Sequence, residues 1–225
     1  MPDRYSSSGL GRRLVELNRR PCGRPEAAFY EWVAAPAVRE IVAPVLEDQL
    51  RAAPAGRVLD VGCGGGAIAS QLCGAGRSVI GVDPSIPQLR RLRRTSRLPC
   101  AAAAAGSLPF RSRSFAAVVS SCAVKHWPSR LDGLTECAQA LVPGGLLDIV
   151  EIDGGHGEDD LLRFASHTRI PPGMRRLYPS FARRSFLPVS PTAEELAAEC
   201  AAAGLSEIRT WRINGLPFLV VAGTR

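Results

Sequence analysis

Hydrophobic positions in the middle of the chain alternate between a spacing typical of strands and one typical of helices. Short β-branched runs at 57–61 and 78–82 predict strands, and helical spacing over residues 67–73 predicts a helix between them. The alternation continues through further helices and strands, predicted over residues 85–97, 100–104, 115–120, 129–142 and 146–152. Because a strand, a helix and a second strand in succession form a parallel pair, this order predicts an α/β fold with a mostly parallel sheet.

Two segments outside this alternation are interpreted as an arm and a lid. Residues 1–50 form a predicted N-terminal helical arm, in which apolar spacing over residues 29–50 indicates two short helices or one kinked helix. Residues 153–191 show little regular pattern and are far longer than an ordinary connection of about 2–6 residues, so we expect a functional lid there. We expect residues 1–225 to form a single domain.

The last part of the chain predicts one helix and a hairpin. Thr192 and Glu195 have the spacing of a capping box, which opens a helix ending near Gly204. Asn214 and Gly215 then separate two strand-like runs, and this dipeptide is typical of a tight hairpin turn. The last strand should therefore run antiparallel to its neighbour.

Composition limits the class of protein. With 46% hydrophobic and 22% charged residues, no apolar run of bilayer length and a polar start without a secretory signal, we expect a cytoplasmic protein without a membrane partner. Seven cysteines without a close C-x-x-C pair argue against a disulfide framework or structural zinc. The net charge of +7 is almost all arginine, since Lys125 is the only lysine. Because this accompanies abundant alanine, it is weak evidence for nucleic-acid binding.

A glycine-rich loop after the first predicted strand is the strongest local signal. Asp60 precedes alternate glycines in the pattern D-x-G-x-G-x-G, and Asp83 closes the second strand. Glycines let the backbone approach a ligand closely, and a carboxylate at the second strand end can accept bonds from ribose hydroxyls. The pair predicts a site for an adenosine-type ligand. The same glycines also satisfy the G-x-G-x-x-A pattern of dinucleotide sites, so an NAD-dependent oxidoreductase stays open.

Four segments in this order and spacing resemble the class I S-adenosylmethionine-dependent methyltransferases, particularly the small-molecule branch with the ubiquinone and menaquinone biosynthesis methyltransferases. They are the loop 60–66, Gly81-Val-Asp83-Pro-Ser85, Leu108-Pro-Phe110 leading to 114–121, and 141–147. The resemblance implies a doubly wound, Rossmann-like α/β fold with a mostly parallel seven-stranded sheet and an antiparallel terminal hairpin. It also implies S-adenosyl-L-methionine as the cofactor.

The resemblance further implies where the cofactor would bind. Asp60, Gly62 and Gly64 would line its methionine part with Cys63 beside them, and Asp83 would hold the ribose. The other implied positions follow the second strand, border the adenine or flank the sulfonium: Pro84, Ala105, Gly106, Ser107, Leu108, Ser120 and Ser121.

One departure from the family pattern leaves another function open. Ala104 stands where family members commonly place an aspartate that accepts a bond from the adenine amino group. Losing one such bond should cost on the order of 1 kcal/mol of binding free energy. A non-catalytic adenosyl-binding protein of the same fold is therefore an alternative. An oxidoreductase is less favoured, because Ser121 stands where the Tyr-x-x-x-Lys pair of a short-chain dehydrogenase would place tyrosine before Lys125.

Methyl transfer from a sulfonium is an in-line displacement, in which a protein mainly aligns the reactants and excludes water. If the acceptor must lose a proton, His126 after the fourth strand is the leading candidate base. The other candidates are Tyr30, His156, His167 and Tyr178. The acids between Asp153 and Asp160 are read as a solvated turn, and no metal is predicted.

Residues 161–190 predict the character of the substrate. They contain no acid but six arginines, whose guanidinium groups suit a small anionic or phenolic metabolite: Arg163, Arg169, Arg175, Arg176, Arg183 and Arg184. RNA is an alternative substrate, because four aromatic side chains in the same stretch could stack bases: Phe164, Tyr178, Phe181 and Phe186. It is less favoured than a small molecule. The oligomeric state is not assigned.

Overall fold

Seven strands form the centre of the computed structural model, which describes residues 24–225, apart from the side chains of residues 24–27 and 29. The remainder of the predicted arm, residues 1–23, lies outside the described residues. The strands are β1 Arg57–Val61, β2 Ser78–Val82, β3 Cys100–Ala101, β4 Phe115–Ser121, β5 Leu141–Ile152, β6 Ser206–Arg212 and β7 Phe218–Thr224. Their order is β3-β2-β1-β4-β5-β7-β6, with β7 antiparallel to both neighbours and the other pairs parallel. The predicted sheet and terminal hairpin are confirmed.

Helices cover both faces of this sheet. They are α1 Arg24–Val33, α2 Ala35–Gln49, α3 Ala67–Gly74, α4 Ile86–Thr95, α5 Arg130–Ala140, α6 Glu158–His167, α7 Tyr178–Ser185 and α8 Ala193–Ala202. Buried side chains of α2, α3, α4 and α6 form one apolar core, and those of α5 and α8 form the other. The arrangement is the doubly wound one predicted. Among the described helices, none is both long enough and apolar enough to span a membrane.

Side-chain caps explain where several helices begin. The Ser85 hydroxyl accepts a hydrogen bond from the Gln88 N–H at the start of α4, and Ser129 does the same for α5. Thr192 and Glu195 form the predicted capping box at α8. In the predicted arm, the break between α1 and α2 falls at Ala34, and α2 continues through Pro44. Of the two alternatives predicted for residues 29–50, two short helices or one kinked helix, the structure has two helices, with Pro36 in the first turn of α2.

Residues 153–191, whose sequence shows little regular pattern, contain regular secondary structure. This stretch contains α6, a 3₁₀ helix Pro172–Leu177 and α7. The helices are short, and only a few side chains of each reach the core, so their apolar period is hard to detect between arginines and prolines. The strand predicted over 100–104 is also shorter than expected, since β3 ends at Ala101.

The reversal of strand order places a crevice at the carboxyl ends of β1 and β4. The chain proceeds outward from β1 through β2 to β3 on one side, and through β4 and β5 on the other. At such a switch point the loops after neighbouring strands diverge, and ligands of open α/β sheets bind there.

A carboxyl group is buried in the middle of this sheet, far along β5 from its loops. Asp148 lies between Val119 of β4 and Ala222 of β7 and has no exposed surface. Neither of its carboxylate oxygens has a hydrogen-bond partner among the described residues. Burial raises the pKa of Asp148 to about 7, and Arg209 opposes this shift. The native state therefore favours the protonated, neutral carboxyl.

Replacing Asp148 with Asn should stabilise the protein at pH 8 by on the order of 1–3 kcal/mol. The native pKa lies above that of the unfolded chain, so the native state holds the extra proton between about pH 4 and 7 and wild-type stability falls as pH rises through this range. The Asn variant loses this dependence, and its advantage should disappear near pH 4. Urea unfolding across this pH range measures the effect. Asp48→Asn, at an exposed position of α2, is the matched control, and an equal response of both variants would contradict the prediction.

Candidate functional site

The glycine loop follows β1 and is held by hydrogen bonds to the end of β2. The N–H groups of Gly62 and Cys63 donate to the Val82 carbonyl at 2.8 and 3.0 Å. Gly62, Gly64 and Gly66 have φ angles of +82°, +52° and +81°, in the region that favours glycine. A Cβ atom at Gly62 would also lie 2.3 Å from that of Ala123 in the loop after β4. The alternate glycines are therefore required by the path of the chain.

Asp83 connects the glycine loop to the start of α4. Its Oδ2 accepts a hydrogen bond from the Gly64 N–H at 2.9 Å, and its Oδ1 accepts one from the Ser85 N–H at 2.7 Å. Burial raises the pKa of this carboxyl, and the two backbone donors oppose the shift. Since each carboxylate oxygen can accept more than one hydrogen bond, Asp83 retains acceptor capacity for a ligand.

Asp60 is the acid at the end of β1, and only 1% of its surface is exposed. Its Oδ2 has no hydrogen-bond partner in the described part of the chain. Burial and then the negative charge of Asp83 raise the pKa of Asp60 to about 7. A buried acceptor without a donor costs folding free energy, and such groups are typical of ligand sites.

A narrow cavity of about 40 Å³ lies directly over the glycine loop. Its floor includes Asp60, Gly62, Cys63, Gly64 and Ser121, all of them predicted site residues. Its roof comes from the first two helices, through Tyr30, Glu31, Ala35 and Val38. Binding sites for cofactor-sized ligands occupy roughly 300 Å³ or more. Such a ligand would therefore require the roof to shift outward.

Glu31 of α1 is a lining residue that sequence reasoning missed. Its Oε1 accepts a hydrogen bond from the Gly65 N–H at 3.2 Å, and its Oε2 lies 3.6 Å from Nε of Arg91 on α4. The side chain is 9% exposed, and burial raises the pKa of Glu31 despite the opposing effect of Arg91. No local motif marks this residue, because it lies almost 30 residues before the loop that it contacts.

The remaining predicted cofactor positions do not line this cavity. Ser120 is fully buried and its hydroxyl donates to the Val61 carbonyl at 2.8 Å, so it links β4 to β1 and, unlike Ser121, faces away from the cavity. Pro84 follows Asp83 beside α4. The turn from Ala105 to Leu108 follows β3, with Ala105 buried and the Leu108 N–H donating to Glu136 at 3.0 Å. Ala104 at its start is exposed.

His126 ends a 3₁₀ turn, Val124–His126, in the loop after β4. The structure leaves its side chain half-buried and outside the cavity lining. The turn is fixed by its neighbour Lys125, whose ammonium pairs with Glu151 of β5 at 2.8 Å, while its N–H donates to the other carboxylate oxygen at 3.1 Å. Lys125 Nζ also donates to the carbonyl of Cys122, a non-glycine residue at φ +53°. A buried ion pair therefore sets the path of this loop.

The other candidate bases are spread over the molecule. Tyr30 lines the cavity, and burial of its hydroxyl end raises its pKa, although 37% of the residue is exposed. Burial also raises the pKa of Tyr178, which packs against Phe164. His156 Nδ1 contacts the Asp153 carbonyl, and His167 is exposed at the end of α6. Only Tyr30 is brought to the cavity.

Two acids of the segment from Asp153 to Asp160 pair closely with arginines of the protein. Asp153 accepts a bond from the Gly155 N–H at 2.8 Å and pairs with Arg212 at 2.5 Å. Glu158 pairs with Arg183 at 2.5 Å. These acids therefore neutralise nearby arginines, and the six arginines of the segment are half-buried or exposed.

Three comparisons with known proteins agree with this geometry. Residues 59–149 match the family model described as a methyltransferase domain. A ubiquinone/menaquinone biosynthesis C-methyltransferase of Geobacter sp. is 27% identical over 187 residues, which are 76% of this chain and 79% of that protein. A ubiquinone biosynthesis O-methyltransferase of Roseobacter denitrificans is 36% identical over 95 residues, but these cover only 40% of this chain and 38% of that protein.

Solved structures of methyltransferases have a similar fold. The crystal structure of an S-adenosylmethionine-dependent methyltransferase from Mesorhizobium loti superposes with a TM-score of 0.62 and 19% identity, covering 83% of this chain and all of that one. At this identity the likeness shows the fold alone. The cavity over the glycine loop therefore lies in a fold that this chain shares with that protein.

Replacing Lys125 with Met should destabilise the protein by about 3–5 kcal/mol, because Glu151 would be left buried without its counter-charge. The double variant Lys125→Met/Glu151→Gln should recover part of this loss. Chemical denaturation measures both. Arg51→Met is the control, since it removes an exposed pair with Asp48 and should change stability by no more than about 1 kcal/mol. A Lys125→Met variant as stable as wild type would show that the pair does not hold the loop.

Proposed function

Because the chain is a class I S-adenosylmethionine-dependent methyltransferase, we propose that it transfers the methyl group of this cofactor to a small anionic or phenolic metabolite. The proposal rests most on Asp60, a buried carboxyl at the switch point of the sheet, whose Oδ2 beside the glycine loop has no partner among the described residues. When bound, the cofactor supplies both the methyl group and its leaving group. The protein's task is to bind, align and exclude water.

The charge of the cavity favours this cofactor over a dinucleotide. The described residues that line it include two acids, Glu31 and Asp60, and no basic residue, while Asp83 lies directly behind the loop. A pyrophosphate over this loop would meet three carboxylates, whereas the ammonium group of S-adenosylmethionine would offset the charge of the two that line the cavity. The G-x-G-x-x-A pattern is therefore better assigned to a methyltransferase loop.

We assign the cofactor contacts residue by residue. Asp83 would accept bonds from the ribose hydroxyls through its remaining lone pairs, and Asp60 with Gly62 and Gly64 would border the methionine end. Ser121 would lie toward the sulfonium. The turn from Ala105 to Leu108, with Pro84, would border the adenine, where exposed Ala104 offers no acceptor for the amino group. Ser120 is not included, since its hydroxyl is bound to the Val61 carbonyl.

The acceptor would approach from the loop after β4 and the lid. His126 is the proposed base for an acceptor that must lose a proton, because the Lys125–Glu151 pair fixes the turn that carries it at the carboxyl end of β4. Arg169, Arg176 and Arg184 are exposed and pair with no acid among the described residues, so their charge would favour an anionic substrate.

An RNA substrate is less well supported than a small molecule. Of the four aromatic side chains in the lid, Phe164 is 2% exposed and packs edge-on against Phe218. Tyr178 and Phe186 are half-buried in the same cluster. Phe181 is the one exposed aromatic of the four, so this set forms a core rather than a stacking platform.

Calorimetry with S-adenosylhomocysteine tests the cofactor site. Wild-type protein should bind, and Asp83→Ala should lose about 10- to 100-fold in affinity, because two hydroxyl–carboxylate bonds are removed. Asp159→Ala, at an exposed position of α6, is the control and should bind like wild type. Unchanged affinity in Asp83→Ala would contradict the ribose assignment. Binding without methyl transfer to any screened acceptor would favour the non-catalytic alternative.

Cofactor affinity should rise as the pH increases from 6 to 8. Without ligand, burial raises the pKa of Asp60 to about 7, so the carboxyl changes from mostly protonated to mostly ionised over this pH range. A cationic ligand favours the ionised carboxylate. Affinity for S-adenosylhomocysteine, whose amino group stays charged over this range, should therefore increase several-fold. Asp60→Asn should bind weakly and with a flatter profile. A flat wild-type profile would show that Asp60 does not face the charged end of the ligand.

A further inference from the structure

The roof of the cavity carries a carboxylate that no sequence motif indicated. Glu31 reaches down from α1 to the glycine loop, and its Oε1 accepts the Gly65 N–H at 3.2 Å. The contact is close enough that a Cβ atom at Gly65 would lie 2.3 Å from this oxygen. Glu31 and Asp60 therefore face the same cavity from opposite sides, one in the roof and one in the floor.

We propose that Glu31 is a further cofactor-binding residue, which together with Asp60 receives the positively charged amino group of the cofactor's methionine end. This inference rests on the proposed function, because it requires that cofactor to be the ligand. It adds a residue of the N-terminal helix to a site otherwise built from loops that follow strands.

The hydrogen-bonding state of the two acids points to an ammonium group. Asp60 Oδ2 is buried without a donor among the described residues, and each Glu31 oxygen can accept a further bond beyond its contact with Gly65 or Arg91. Such acceptors require N–H or O–H donors. An ammonium group carries three donors and a positive charge, whereas a sulfonium has the charge but no proton to donate.

The electrostatics lead to the same ligand group. Two carboxylates, those of Glu31 and Asp60, line one small cavity, and no basic side chain among the described residues lines it with them. Arg91 is half-exposed, so water screens its attraction for Glu31. A cation between the two acids would offset the cost of burying them.

Binding through Glu31 would also hold the roof in place. The Arg91 pair connects α1 to α4, and the Arg169 N–H donates to the Val33 carbonyl at 3.2 Å, which connects the end of α1 to the chain after α6. A ligand that engages Glu31 would therefore couple the position of α1, after the outward shift of the roof, to that of α4 and of the chain after α6.

Two ligands separate this role from a purely structural one. S-adenosylhomocysteine carries the amino group, whereas 5′-methylthioadenosine keeps the adenosyl and thioether parts and lacks the amino-acid end. Glu31→Gln should lower affinity for S-adenosylhomocysteine about tenfold in calorimetry, the order expected for one charge-assisted hydrogen bond, and leave 5′-methylthioadenosine within about twofold. Glu40→Gln, exposed on α2, should affect neither ligand.

Gly65→Ala is a second variant that displaces Glu31 without changing its charge. Its added methyl cannot coexist with the present position of Oε1, so it should show the same selective loss of S-adenosylhomocysteine affinity. Unfolding curves for each variant establish that it folds.

Three outcomes would overturn the proposal. Equal loss of both ligands in Glu31→Gln would assign the residue a positioning role, and tighter binding of S-adenosylhomocysteine would make it an obstruction. Unchanged affinity for both would remove it from the site while leaving the proposed function intact. If wild-type protein binds neither ligand, the proposed function fails first, and this inference with it.

Discussion

The hydrogen bond from the Gly64 N–H to Asp83 fixes the glycine loop in the position on which the rest of the site depends. It joins the loop after β1 to the acid at the end of β2, while the Ser85 N–H ties the same carboxylate to α4. The Val82 carbonyl already holds the N–H groups of Gly62 and Cys63, and the Asp83 bond extends this attachment to Gly64 in the middle of the loop. Together these bonds define the floor of the cavity. One half-buried acid therefore serves both the fold and the candidate site.

The negative charge of Asp83 also affects the neighbouring carboxyl of Asp60. Asp60 lies close enough for the charge of Asp83 to raise its pKa, after the larger effect of burial. Folding thus places carboxylates together where water cannot screen them, at a cost in stability that a cationic ligand would offset. The same reasoning separates Asp60 from Asp148, which is equally buried but lies within the sheet, away from the loops.

The sequence predicted the sheet, the glycine loop and Asp83, because these depend on short-range rules. β-branched runs, glycines at fixed spacing and an acid at a strand end are each visible within about ten residues. The helices within residues 153–191 were missed, since their buried faces are only a few side chains wide. Glu31 was missed for a different reason. Its contact with Gly65 depends on how α1 packs over the sheet, which no local pattern records.

The position of the acids also bears on how a methyl transfer could be fast. A sulfonium loses its positive charge as the methyl group leaves, so a carboxylate beside it would stabilise the reactant more than the transition state and slow the reaction. At the proposed sulfonium side the described cavity presents Ser121, a neutral residue, whereas Glu31 and Asp60 border the part of the cavity assigned to the methionine end. Carboxylates directed at an ammonium group would contribute binding energy that does not change during the reaction. Binding and reactivity would then be served by different ends of the same ligand.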